Sequence, residues 1–433
     1  NLATRFDLLE KRVELYSRIA DRDEQSRDLD RLDALAAELD EAGHYARAAG
    51  MRSSYHFVLG DYPETIKFAE SVISLGRQYG EMDTCMVAYN NWAMALLRQS
   101  NLKTAMKIAI EGLELARQQE NKYFQGLTLN TMGIIAHMQE DPDSAEHSLE
   151  EAGRLAREIG DRALLSKINT NLGNVAGTLR GDYSAARRYY EQGLSILEEQ
   201  GDRYGQSILL LNLAWAAGIQ GDFPASRAYN KQAVTYAREV GNPQYEAYAL
   251  INLSAVASVQ GDIPTAKEAA SLAAELTTRI GDRIGESWAL LNMGHAYMAA
   301  GEPEEAAESY QRCMDLRLEL DMPGFEIEPM AGLIQAALGQ KDLASASEHT
   351  EHILAHIERG GTLERTEEPL RIYLACYETL VQMKDDRARA LLEEAGKLLD
   401  MQAARLPDES ARQLFLNSTP WRRAIKRARE NNL

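Results

Sequence analysis

The sequence predicts an all-α fold, a right-handed superhelical solenoid of helix pairs with a period of about 40 residues. Three observations carry this. A breaker pair recurs at Gly60-Asp61, Ser100-Asn101, Glu140-Asp141, Gly181-Asp182, Gly221-Asp222, Gly261-Asp262, Gly301-Glu302 and Lys341-Asp342, in steps of 40 with a single step of 41. Small residues keep register inside the unit. The first helix of each pair (helix A) carries Ala93, Gly133, Gly173, Ala214, Ser254 and Gly294; the second (helix B) carries Ala105, Ala145, Ala186, Ser226, Ala266 and Ala306. Finally, no run alternates as a strand would, and proline is scarce, at 11.

Each feature has a physical reason. Glycine ends helix A because it tolerates the left-handed conformation of a helix stop. Asp or Asn then caps helix B by accepting a bond from an orphan amide. A small residue at one fixed place on each helix lets the two axes approach closely. Such a unit buries its apolar face only against its neighbours.

In chain order, residues 1–20 and 24–40 predict two amphipathic helices without the small-residue signature. They read as a degenerate N-terminal cap or as a connector to an upstream domain. Residues 43–58 and 62–78 form the first recognisable pair. Five similar pairs run to about residue 280, and another spans 283–319. The extra residue is expected in the turn at Leu179-Arg180, where an insertion disturbs least. The pattern loosens over 321–330, then resumes at 326–338 and 342–358. A Gly-Gly turn at 360–361 precedes a final, longer-spaced pair, Glu367–Met383 and Asp385–Leu406. The last stretch predicts a short helix, a Ser-Thr-Pro break and a closing helix with Pro420 at its first position. The expected division is therefore 1–40 for capping or connector helices, 41–359 for the solenoid, and 360–433 for a degenerate last repeat with its caps. The chain opens at Asn1 rather than Met, as a fragment of a longer protein would; trimming or processing looks the same.

The pieces N-L-G at 171–173, N-L-A at 212–214, N-M-G at 292–294 and G-D-Y-x-x-A at 181–186 resemble the tetratricopeptide repeat in a 40-residue form. The resemblance covers about residues 40–350. A narrower one lies in I-L-A-H-I-E-R-G-G, E-E-P-L-R-I-Y-L-A-C-Y-E-T-L, D-D-R-A-R-A-L-L-E-E-A-G-K-L-L and E-S-A-R-Q-L-F-L-N-S-T-P-W-R-R-A-I. These segments are similar to the end of the repeat regions of bacterial STAND regulators, the signal-transduction ATPases with numerous domains. Residues 21–60 look like the start of the same region. In that class the repeats are the sensor, following an ATPase module and an output domain. The resemblance implies a sensor role beside an ATPase module of the parent chain, in the cytoplasm. This chain shows neither of the other modules, so it implies no activity.

Composition narrows the partners. A net charge of −19 argues against nucleic acid and reads as solubility for a long surface. No stretch of apolar residues is long enough for a membrane span, and no secretory signal pattern is present. Cys85, Cys313 and Cys376 are far apart and odd in number, which fits reduced, buried thiols.

The register with most functional interest is an Asn ladder on helix A: Asn91, Asn171, Asn212, Asn252 and Asn292, with Thr131 and Gly332 replacing it in two repeats. An amide offers both donor and acceptor. A row of them along a concave wall can grip the backbone of an extended peptide whatever its sequence. The alternative is structural, each Asn bonding a neighbouring helix. Near the ladder, Asn130, Asn174, Lys167 and Thr170 make the wall polar in the middle repeats. Trp215, Tyr248, Trp288 and His295 make it aromatic later, and aromatics serve as interface anchors. The candidate groove therefore comprises Asn91, Asn130, Asn171, Asn174, Asn212, Trp215, Tyr248, Asn252, Asn292 and His295.

His349, His352 and His356 share one helix face, a spacing that can hold a metal; a solvated face is the simpler reading. No phosphate loop, dinucleotide fingerprint or nucleophile elbow appears. Neither a catalytic residue nor a cofactor or metal site is assigned. The basic end, Trp421 to Asn432, reads as a cap lying on an acidic solenoid, with contact to nucleic acid or an acidic partner as the other option. The reading that follows is non-catalytic recognition of a peptide or protein segment. Sensing of a small molecule and a passive scaffold or oligomerisation role are the alternatives.

Overall fold

The computed structural model describes residues 2–363, 366–406 and 408–431. Among these the regular structure is helical. The chain divides into two compact units, residues 1–180 and 181–433, and each is described by itself.

The first unit begins with α1 (Leu2–Arg18) and α2 (Arg22–Leu39), the expected N-terminal pair. The repeats follow as α3 (Ala42–Leu59) with α4 (Tyr62–Tyr79), α5 (Met82–Arg98) with α6 (Leu102–Gln118), and α7 (Lys122–Met138) with α8 (Pro142–Ile159). It closes with α9 (Arg162–Asn174) and a π-helical turn, Val175–Leu179. The residue added to the period therefore lies inside the end of a helix and not in the turn after it. A π turn takes in one residue without moving either flanking cap, so Asp182 still caps the next helix, accepting from the Ala185 amide at 2.9 Å.

The second unit opens with α10 (Tyr183–Gln200). It continues through α11 (Arg203–Ile219), α12 (Phe223–Glu239), α13 (Pro243–Gln260), α14 (Ile263–Ile280), α15 (Arg283–Ala300) and α16 (Pro303–Glu319). Then come α17 (Ile327–Gly339), α18 (Leu343–Glu358), α19 (Pro369–Met383), α20 (Arg387–Ala404), α21 (Glu409–Ser418) and α22, which starts at Pro420 as expected (Pro420–Asn431).

The caps form as the sequence dictates. Asp61, Asn101, Asp141, Asp222, Asp262 and Asp342 each accept the amide three residues on, at 3.1–3.4 Å. The small positions are close contacts. A Cβ on Gly133 would stand 2.5 Å from Leu149 Cγ, and one on Gly112 would stand 2.9 Å from Tyr89 Cβ. Ser226 and Ser254 span the same gap with a bond, from Oγ to the Ala214 and Ala266 carbonyls, both at 2.8 Å.

Within each unit successive helices pack in sequence. In addition, α3 touches α5, α5 touches α7 and α7 touches α9; in the second unit α11, α13, α15, α17 and α19 are linked in the same way. Among the described residues, successive B helices such as α4 and α6 or α12 and α14 touch far less. The A helices are thus the closely set row, and their free faces form one continuous wall in each unit. A second register ties the second unit together: Arg187 pairs with Asp222 at 3.1 Å, Arg227 with Asp262, and Lys267 with Glu302 at 2.5 Å. Each joins a B helix to the cap of the next repeat.

The basic end packs on α19, α20 and α21. Arg422, 3% exposed, pairs with Glu368 at 3.1 Å; Arg429 pairs with Asp400 at 3.0 Å. All three cysteines are buried and free, and burial pushes the Cys313 and Cys376 thiols up to about 12. Among the described residues no helix is long and apolar enough to cross a membrane.

Candidate functional site

The ladder position lies two residues before the small residue of helix A, as in Asn171 and Gly173 or Asn212 and Ala214. Two residues turn a helix by about 200°. If the small residue faces helix B, the Asn faces the opposite way, onto the A-helix wall.

In the first unit these amides are rungs between A helices. Asn91 on α5 donates from Nδ2 to Ser54 Oγ on α3 at 3.0 Å. Thr131 on α7 donates to Asn90 Oδ1 on α5 at 2.8 Å. Asn171 on α9 donates to Asn130 Oδ1 on α7 at 2.8 Å. Thr131, which breaks the Asn pattern in sequence, does the same work as its neighbours. Asn130 is buried, and Asn174 is half-buried at the start of the π turn.

The second unit differs. Asn212 on α11 and Asn252 on α13 are half-buried, and their side-chain amides bond nothing among the described residues. Asn292 on α15 is buried and donates back to the Trp288 carbonyl of its own helix at 3.0 Å. Trp215 is 37% exposed, with Tyr183 set edge-on to it at 5.6 Å. Tyr248 donates to Asp282 Oδ2 at 3.0 Å and accepts from Gln244 at 3.2 Å, so its ring is held half-buried. Trp288 lies under the Arg317 guanidinium at 4.2 Å. His295 Nδ1 is 2.6 Å from the Tyr310 hydroxyl. Burial holds the His295 imidazole well below its usual range, and Arg371 and Arg317 push it the same way.

The rim of this wall is covered at two places. Most left-handed turn glycines of the second unit, such as Gly201, Gly241 and Gly261, have nothing within 4 Å of a Cβ built on them. Gly181 and Gly221 do: the first meets Arg405 Cδ at 3.3 Å, the second meets Ser418 Cβ at 2.6 Å. The C-terminal helices therefore return to the turns beside Tyr183 and Trp215.

The structure thus groups Asn212, Trp215, Tyr248, Asn252, Asn292 and His295 on one wall, and Asn91, Asn130, Asn171 and Asn174 on the other. The first set holds two unengaged amides, Asn212 and Asn252, in the same row as Trp215 and Tyr248. Of the three histidines on α18, His349 and His356 are half-buried and His352 is exposed. No group of three or more His, Cys, Asp or Glu among the described residues is placed to hold a metal ion. Sequence reasoning missed Tyr310. The signal for it was the pair Gly294 and Gly332, which clear space for its ring on two successive A helices.

The family described as tetratricopeptide repeat matches residues 84–158, 162–239 and 245–319, more than half of the chain. A second, anaphase-promoting complex subunit 5, matches residues 10–100. No curated protein matches the chain. Among solved structures, aspartyl phosphate phosphatase F from Bacillus subtilis is similar at 14% identity with a TM-score of 0.53, over 84% of this chain and 97% of that one. The STAND protein with a tetratricopeptide repeat sensor, PH0952 from Pyrococcus horikoshii, is similar at 13% identity and a TM-score of 0.52, over 76% of this chain. The similarity spans only 52% of that protein's length. The apo form of the quorum sensor NprR from B. thuringiensis is similar at 14% identity and a TM-score of 0.50, over 78% of this chain and 97% of that one. At such identities the likeness is one of fold.

Proposed function

Because the chain belongs to the tetratricopeptide repeat family, a fold built for protein interaction, we propose that it is a non-catalytic sensor region whose A-helix wall in the second unit binds an extended peptide or protein segment. The observation that carries this is the contrast at one register. Asn130 and Asn171 are bonded to each other, whereas Asn212 and Asn252 offer their amides unengaged beside Trp215 and Tyr248. Neither amide is among the buried unpartnered groups, so water meets them in the free protein. A ligand backbone, with donors and acceptors alternating along it, takes the place of that water.

In this reading the aromatic rings supply contact area and the amides supply sequence-tolerant grip. The sensor works within a longer cytoplasmic signalling protein of bacterial type, next to an ATPase module. Two things support that context: the C-terminal segments that resemble STAND regulators, and a fold shared with a STAND protein whose repeats are named as its sensor. Residues 1–40 then serve as cap or connector and 360–433 as the closing cap.

The test uses an array of synthetic ten-residue peptides read by Trp fluorescence and by direct binding. Each lost amide should cost about 0.5–1.5 kcal/mol. The double variant N212A/N252A should therefore bind its best peptides roughly 5- to 150-fold more weakly, at about 1.4 kcal/mol per decade, with an unchanged circular-dichroism melt. Undiminished affinity in that variant rules the wall out as the ligand site. Binding of small metabolites but of no peptide would favour the small-molecule alternative.

A further inference from the structure

Tyr310 belongs to α16, a B helix, and is wholly buried, yet its hydroxyl is engaged on the A-helix side. Two glycines make this possible. A Cβ on Gly294 of α15 would stand 2.5 Å from the Tyr310 ring, and one on Gly332 of α17 would stand 2.6 Å from it. The ring therefore passes between two A helices that carry no side chain at that point. Gly332 takes the ladder position in its repeat, so the amide is replaced there by the tip of a tyrosine.

Two partly exposed side chains meet that tip. His295 Nδ1 is 2.6 Å from the hydroxyl. Arg371 of α19 reaches it with Nη2 at 3.5 Å and donates from Nε to Gln335 Oε1 of α17 at 3.0 Å. The Arg371 guanidinium also lies over the Trp421 ring of α22 at 5.4 Å. The protons can be assigned from donor capacity. A guanidinium only donates, so the tyrosine oxygen accepts from it, and the tyrosine proton goes to His295 Nδ1. The neutral imidazole then carries its own proton on Nε2.

Among the described residues Arg371 lacks a contact ion pair, and the carboxylate that attracts it, buried Glu328, does so from beyond 4 Å. The buried carboxylate nearby, Glu328, spends Oε1 on the backbone amides of Glu367 and Glu368 at 3.1 and 3.4 Å, and its Oε2 is 3.8 Å from Arg317 Nη1. Arg317 is itself fully buried, with Nη2 unpartnered. In a chain of net charge −19, a half-buried guanidinium without a carboxylate in contact is conspicuous. Its planar fork matches a carboxylate in two-point contact.

We propose that His295, Tyr310, Gln335 and Arg371 form a carboxylate-binding subsite at the C-terminal end of the A-helix wall of the second unit. Arg371 donates from its open N–H groups, His295 donates from Nε2, and Gln335 and Tyr310 fix the guanidinium and the ring. This subsite rests on the reading of that wall as the ligand-contacting one. It makes the carboxylate, either an acidic side chain or a chain terminus, the part of a bound segment that sets its register.

The test uses the whole chain with labelled histidine rings, the His295 resonance being assigned by its loss in His295→Gln. N-acetylglycine supplies a terminal carboxylate, the α-amide of N-acetylglutamate a side-chain one, and N-acetylglutamine amide the neutral control. At least one carboxylate should shift the His295 Nε2 resonance and raise the pH midpoint of its ring, while the control does neither. The more tightly bound of the two identifies the source. R371Q should weaken the response by about tenfold or more, since charge-assisted bonds are the strong ones. Y310F, which keeps the ring and removes only the hydroxyl, should weaken it by about threefold and serves if R371Q fails to fold. No shift with either carboxylate, an equal shift with the control, or an undiminished response in both variants would overturn the subsite. N212A/N252A should leave the response intact. Peptide binding lost there with the carboxylate response retained touches only the ladder; peptide binding retained with no carboxylate response sinks only the subsite.

Discussion

The two units present the same A-helix wall built from the same repeat, and they use it differently. In the first, the amides of Asn91 and Asn171 and the hydroxyl of Thr131 each find a partner on the preceding A helix. In the second, Asn212 and Asn252 have none among the described residues, and the surrounding residues turn from polar to aromatic. The lesson is that a recurring residue does not have a recurring job. A rung needs a complementary group about one repeat earlier, such as Ser54 or Asn130. Asn252 has Leu211 at the position 41 residues earlier, which offers no acceptor, and its amide stays available.

The largest effect that would sharpen this comparison is expected at Gly294. Its Cβ would fall on the Tyr310 ring, which is buried and cannot swing away. Gly294→Ala should cost about 1–3 kcal/mol through overpacking, measured by urea unfolding, and should also move the His295 ring resonance. Gly133→Ala in the first unit should cost a similar amount against Leu149 but leave His295 undisturbed. Equal effects on His295 would mean that the tyrosine is not seated between α15 and α17.

A pH series separates the units by sign. Asp28 in the first unit is buried, which pushes its carboxyl up, but the bonds from Arg12 and Arg31 outweigh this and hold it below the usual range. Its contribution is present above the ordinary aspartate value and is lost as pH falls through the lowered one. Glu328 in the second unit is pushed up, chiefly by burial. Its contribution is present below the ordinary glutamate value and is lost as pH rises through the raised one. Hydrogen exchange corrected for intrinsic rates should show α16–α19 gaining protection as pH falls through the raised Glu328 value, while α1–α3 hold steady until pH falls below the ordinary aspartate value. Parallel behaviour of the two segments would contradict this assignment.

The smallest effects lie in the turns. The first unit holds Ser100 and Glu140 in the left-handed conformation, at φ of 60° and 58°, where the second has Gly221 and Gly261. Glu140→Gly should stabilise by a few tenths of a kcal/mol, as relief of left-handed strain exceeds the entropy cost of glycine. Gly241→Ala should destabilise by about 1 kcal/mol. Thermal melts of both variants check the pair.

Much of this architecture could be read from the residues. The period, the caps, the small positions and the helix starting at Pro420 depend on local chemistry, so they are written in adjacent residues. The extra residue in the period was legible as a count, but its home in a π turn was not. Both a longer turn and a wider helix end satisfy the sequence, and only the π-helical bonding, such as the Arg180 amide donating to the Val175 carbonyl at 3.2 Å, separates them. The ladder was visible as a register, while the partners of its members were not, because Ser54, Asn90 and Asn130 lie on another helix. The repeating pairs Arg187 with Asp222 and Arg227 with Asp262 hid in the same way, each residue ordinary until the fold sets it beside the other. Tyr310 was hidden most deeply: its reach depends on the coincidence of two glycines from different repeats.

The central claim is that Asn171 is a rung and Asn212 is not. Equilibrium urea unfolding of N171A and N212A, measured side by side, tests it most directly. Removing Asn171 leaves the buried Asn130 oxygen without its donor and should cost about 1–3 kcal/mol, whereas N212A should stay within about 0.5 kcal/mol of the parent, as for a surface change. Equal losses in the two variants would contradict the division of labour between the two walls, and with it the case for the second as a ligand site.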